Sequence, residues 1–81
     1  MAAELTLLSR GYCHLCHDME AALAPIAEEF GAVVTVLDVD EYPALVEQYD
    51  ELVPVLLFGE TELCHYFLDV ERVRDVLGQI R

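Results

Sequence analysis

Two of the three cysteines lie two residues apart, in the run Tyr12-Cys13-His14-Leu15-Cys16-His17. That spacing lets one sulfur reach the other within a single helical turn, so the pair can open and close as a disulfide. An odd total leaves at least one thiol outside any intrachain pair. In a reducing cytoplasm, so close a pair is more often redox-active or metal-binding than a structural staple. The pattern around Cys13 reads as the end of a strand followed by the start of a helix. Unpaired backbone N–H groups and the positive end of the helix dipole favour an anion there. A thiolate is such an anion, so Cys13 is expected to ionise below the ~8.5 of a free thiol and to act as nucleophile. Cys16, one turn on, is expected to be the more buried thiol, which resolves a mixed disulfide on Cys13.

Two other chemistries use the same residue types. Cys13-x-x-Cys16-His17 satisfies the c-type haem attachment pattern, which requires export and a helix-rich fold around the porphyrin. Zinc could draw on Cys13, Cys16 and either His17 or the Cys64-His65 pair. Adjacent strand residues point to opposite faces, however, so Cys64 and His65 do not aim at one ion. The expectation is therefore no metal. His14 reads equally as a modulator of Cys13 or as a surface residue, and His17 as a polar residue in the first turn. Cys64 reads as a small hydrophobe in a strand, and His65 and the tyrosines as structural.

The elements that must position the pair follow from periodicity. Residues 4–9 read as a first strand ended by Arg10-Gly11. Leu15, Met19, Ala22, Leu23, Ile26 and Phe30 then repeat as one helical face, closed by Gly31, with Pro25 expected to kink the helix or split it near Ala24. The β-branched run 33–39 reads as a strand covered on both faces. Asp40 is expected to cap a short second helix with Pro43 in its first turn and Leu45, Val46 and Tyr49 inward. Residues 53–59 read as a third strand opened by Pro54, residues 59–61 as a tight turn, and residues 63–67 as a fourth strand antiparallel to the third. Asp69 caps a last helix carrying Val70, Val73, Val76, Leu77 and Ile80 on one face. The order β-α-β-α-β-β-α builds a four-stranded mixed α/β sheet flanked by helices, here as a single domain over residues 1–81.

Composition narrows the partners. The chain has 81 residues, is 56% hydrophobic and carries 16 acidic against 4 basic residues, a formal charge of −12. That is globular rather than disordered. The charge argues against nucleic acid and anionic lipid as partners. No apolar run approaches the ~20 residues of a membrane helix, and the amino terminus has no basic n-region followed by a long apolar stretch. The expectation is a cytoplasmic monomer.

The run Ser9-Arg10-Gly11-Tyr12-Cys13-His14-Leu15-Cys16 resembles the glutaredoxin branch of the thioredoxin superfamily, and Val53-Pro54 resembles that family's Thr-Val-Pro segment. The closer likeness is to small glutaredoxin-like proteins with Cys-x-Leu-Cys, and it spans residues 4–80. The resemblance implies a thioredoxin-like fold, Cys13 as nucleophile and Cys16 as resolver. It implies a cis Val53–Pro54 peptide whose Val53 backbone pairs with a bound peptide or glutathione. It also implies a substrate- or glutathione-binding set of Arg10, Tyr12, Val53, Pro54 and Asp69, with Arg10 standing where the family has a carboxylate-binding lysine. The chain departs from the family at His14, in place of proline, at Leu52, in place of threonine, and at the bulky His65-Tyr66-Phe67-Leu68, where Gly-Gly is usual. The function expected is thiol–disulfide exchange with a disulfide-bearing protein or a glutathione mixed disulfide. No cofactor is expected beyond glutathione as a co-substrate. The alternative is a thioredoxin-fold binding or metal-handling module without turnover.

Overall fold

The computed structural model describes residues 3–11, 13–49 and 52–80. In chain order these form β1 (Glu4–Ser9), α1 (His14–Phe30), β2 (Val33–Asp38), a 3-10 turn (Val39–Glu41), α2 (Pro43–Tyr49), β3 (Val55–Phe58), β4 (Thr61–His65) and α3 (Val70–Ile80). The sheet runs β2-β1-β3-β4, with β1 and β2 parallel and the other two pairings antiparallel. A parallel pair needs a crossover, and α1 is that crossover. The β-α-β-α-β-β-α order and the mixed sheet are those expected from the sequence.

β1 lies inside the sheet, so its residues are apolar toward both faces. Leu5 and Leu7 look toward α1 and α3, where they join Met19, Leu23, Leu56 and Leu77. Leu8 looks the other way and packs with Val39, Val55 and Leu57 beneath α2. Each fully buried leucine contributes on the order of 1.5–3 kcal/mol of burial free energy, so both layers hold the central strands. Gly31 closes α1 in the left-handed region at φ 66, and the Ala32 N–H donates to the Ala27 carbonyl at 2.8 Å. Glycine enters that region without the steric penalty of a Cβ.

Several expectations are corrected. β2 is an edge strand rather than one covered on both faces, with Val33 49% and Val36 42% exposed. α1 is unbroken through Pro25; the proline sits on the exposed side of the helix, where solvent can bond the Ala21 carbonyl it leaves without an amide. The buried face of α1 is Cys16, Met19, Leu23, Ile26 and Ala27, leaving Leu15 and Ala22 exposed. Asp38, not Asp40, receives a capping bond: the Asp40 N–H donates to Asp38 Oδ1 at 2.9 Å. The resulting 3-10 turn separates Asp40 from α2. β3 begins at Val55, after the proline that cannot donate to a ladder. β4 spans Thr61–His65 rather than 63–67, because Tyr66 turns to φ 64 and leaves the extended region. A bulge where Leu56 and Leu57 pair across to Cys64 and Glu62 lets adjacent Leu63 and Cys64 both pack on the α1–α3 core. α3 buries Val73 and Leu77 and leaves Val70, in its first turn, exposed; the Ile80 side chain lies outside the described residues.

Candidate redox site

The site is built where β1 ends. Arg10 and Gly11 carry the chain out of the sheet, and the Cys13 N–H donates back to the Arg10 carbonyl at 3.2 Å. This leaves Cys13 extended (φ −106, ψ 109) as the N-cap of α1. Its Sγ accepts a hydrogen bond from the Cys16 N–H at 3.1 Å, so a side chain that is not among the usual capping types satisfies one open donor of the helix. Cys13 and Cys16 are joined as a disulfide, with Cα atoms 5.2 Å apart. Cys16 is only 2% exposed, whereas Cys13 is half-buried at the surface. The sulfurs therefore differ in access as expected. His14 and His17, both exposed, share with Gly11 and Cys13 a shallow depression of about 260 Å³.

Val53–Pro54 is a cis peptide. Register fixes where it lies: Leu8 pairs with Val55, so Pro54 sits at the sheet end from which the Arg10–Cys13 segment leaves. On its other side the Tyr66 N–H donates to the Pro54 carbonyl at 2.9 Å. Pro54 is buried and Val53 packs partly against the layer beneath α2. Arg10 is engaged by Asp40, Nη2 to Oδ1 at 3.1 Å. Asp69 is the N-cap of α3, its Oδ1 accepting from the Arg72 N–H at 3.1 Å. Tyr12 lies outside the described residues.

Sequence patterning does not reveal one feature of the site. Leu15, Asp18 and Met19 of α1 face Tyr66, Phe67 and Leu68 across a groove of about 290 Å³. The helical stripe places Leu15 in the core, and the apolar run places residues 66–67 in a strand. The signal that bears on the groove is the replacement of small residues by two aromatics after β4. Cys64 is a free thiol packed against the core, and burial pushes its pKa upward, only partly offset by a hydrogen bond from the Asp69 backbone. A wider concavity of about 750 Å³ along α3, lined by Phe30, Asp69 and Arg74 among others, contains neither Cys13 nor Cys16. Among the described residues, no three His, Cys, Asp or Glu side chains are placed to hold a metal ion. No helix among them is long and apolar enough to cross a membrane.

Residues 4–78 match the family described as Glutaredoxin-like domain. The chain belongs to the glutaredoxin-like domain family. No curated protein matches it at a significant level. Among solved structures, this glutaredoxin-like chain is similar to protein Ne2328 of Nitrosomonas europaea, with 32% identity, 94% of this chain and 92% of that one covered, and a TM-score of 0.83. It is also similar to a structural-genomics target protein of X. campestris, with 33% identity, coverage of 93% and 96%, and a TM-score of 0.73. The holo form of glutaredoxin C1 from Populus tremula x tremuloides shares the fold at 22% identity, with coverage of 98% and 78% and a TM-score of 0.64. The glutaredoxin-like domain thus has the thioredoxin-like fold, with its cysteine pair at the first helix start.

Proposed function

We propose that this protein is a thiol–disulfide oxidoreductase acting on protein disulfides or glutathione mixed disulfides in the cytoplasm. The observation that carries this is the asymmetry of the pair: an N-cap Cys13 at the surface, hydrogen-bonded by the Cys16 N–H, with the Cys16 sulfur buried behind it. In the reduced protein, the Cys13 thiolate attacks one sulfur of a substrate disulfide. A Cys13–substrate disulfide forms, and the other substrate sulfur leaves as a thiolate that takes a proton from water. Cys16 then loses its proton to water and attacks Cys13 Sγ. The second substrate thiolate departs and is protonated in turn. Two electrons have passed to the substrate, and the Cys13–Cys16 disulfide remains. A second thiol compound, glutathione or a protein dithiol, returns the electrons. Pro54 and Arg10 would frame the incoming disulfide from the sheet end.

The test is a pair of serine variants. Cys16→Ser is expected to accumulate as a mixed disulfide visible by mass, and Cys13→Ser to exchange with nothing. A Cys13→Ser protein that still exchanged at the wild-type rate would overturn the assignment.

A further inference from the structure

A groove along α1 starts at Leu15, which lies between His14 and Cys16 in the first turn, and is closed by Tyr66, Phe67 and Leu68. Its wall is joined to the cis-proline segment through the Tyr66–Pro54 hydrogen bond. Phe67 is 71% exposed, and Leu15 and Tyr66 are also exposed. None of the three belongs to either core cluster. Phe67 therefore presents apolar surface to the groove rather than supporting the fold. Among the described residues lining the groove, the one charged group is the Asp18 carboxylate. The chain as a whole carries −12, and Arg10, the arginine at the end of β1, is held by Asp40.

Those features discriminate between the two substrate classes above. Glutathione is a small anion with two carboxylates, and this groove offers it a carboxylate and apolar walls. A polypeptide can instead place an apolar side chain between Leu15 and Phe67 and a cationic one on Asp18. We infer that the groove selects protein disulfides whose cysteine is flanked by an apolar and a basic residue, in preference to glutathione disulfides. This rests on the redox reading. The apolar contact supplies affinity, and the acidic surface supplies steering that salt screens.

The experiment measures exchange rates of the reduced protein with four disulfides. Two are short peptides linked to the same small thiol, with Leu beside the cysteine and either Lys or Glu next to it. The others are glutathione disulfide and the uncharged hydroxyethyl disulfide. The Lys peptide is expected to react at least ~10-fold faster than the Glu peptide or glutathione disulfide, with the gap narrowing as salt is raised. Phe67→Ala is expected to lower the ratio of Lys-peptide to hydroxyethyl-disulfide rates by roughly tenfold, the loss of one apolar contact. Asp18→Asn is expected to shrink the discrimination between Lys and Glu peptides to the salt-sensitive part that the rest of the acidic surface supplies. Both residues are exposed, so neither change threatens folding. Equal rates for the two peptides, or glutathione disulfide reacting as fast as the Lys peptide, would overturn the inference. If that happens while hydroxyethyl disulfide is still exchanged, the redox reading stands alone. If none of the four is exchanged, the redox reading falls and takes the inference with it.

Discussion

The Cys16 N–H donates to the Cys13 sulfur at 3.1 Å, so the residue that carries the second sulfur also bonds the first. Kept in the reduced protein, that donor would hold the Cys13 thiolate, since hydrogen bonds to ionised acceptors are the stronger kind. The pH profile of the first exchange step should therefore turn over below the ~8.5 of a free thiol. Ultraviolet thiolate absorbance of the Cys16→Ser variant, titrated alongside the exchange rate, measures it. A midpoint at or above the free-thiol value would remove the helix start from the mechanism.

Cys64 is expected to behave in the opposite way. Burial raises its pKa, so in native protein it should alkylate far more slowly than Cys13 at neutral pH. The linkage has a definite sign. The folded state disfavours the Cys64 thiolate, so the stability this contributes is fully present below the ordinary thiol range. It is lost as pH rises through the raised value. Denaturant melts of the oxidised protein, in which Cys13 and Cys16 do not titrate, should show wild type losing more stability on alkalinisation than Cys64→Ala. Parallel losses would place Cys64 in water.

Leu56 is fully buried and lies on the interior strand β3, opposite Leu7. Leu56→Ala is expected to cost about 2–5 kcal/mol, a large part of the roughly 5–15 kcal/mol typical of a small domain. The midpoint of chemical denaturation should fall accordingly. A loss under ~0.5 kcal/mol, as at exposed surface sites, would contradict the packing.

Asp69 accepts the Arg72 N–H as an N-cap. Asp69→Ala is expected to cost ~1 kcal/mol and Asp69→Ser little, read as a thermal shift of about 4–8 °C for the alanine variant. If exchange rates fall equally in both variants while the melts separate them, the carboxylate also serves an incoming substrate.

Much of this molecule is legible in its residues. The order of elements follows from five switches between strand and helix period, and the unequal burial of Cys13 and Cys16 from their places on the first turn of a helix. Other features turn on tertiary placement. The Val33–Asp38 run reads as equally apolar at an edge or in the middle of a sheet, because propensity responds to side-chain shape and not to neighbours. Leu15 fits the helical stripe as well as Cys16 does; packing chose the cysteine and left the leucine to line a groove. Asp38 and Asp40 are the same capping residue type two residues apart, and the sequence pattern points to Asp40. The 3-10 turn settles between them, freeing Asp40 to hold Arg10. The early end of β4 follows from the left-handed Tyr66, a conformation that nothing in a Tyr-Phe-Leu sequence announces.

The segment leading to the cysteines leaves from β1, and the cis-proline segment enters β3; these two strands are the inner pair of the sheet, with Leu7 opposite Leu56 and Leu8 opposite Val55. Amides of such strands exchange with solvent only on near-global opening, while edges and helix ends breathe freely. The Cys13 sulfur and the cis proline are thus moored to the part of the chain expected to exchange slowest. Their spacing is as durable as the native state itself, whatever the outer strands are doing.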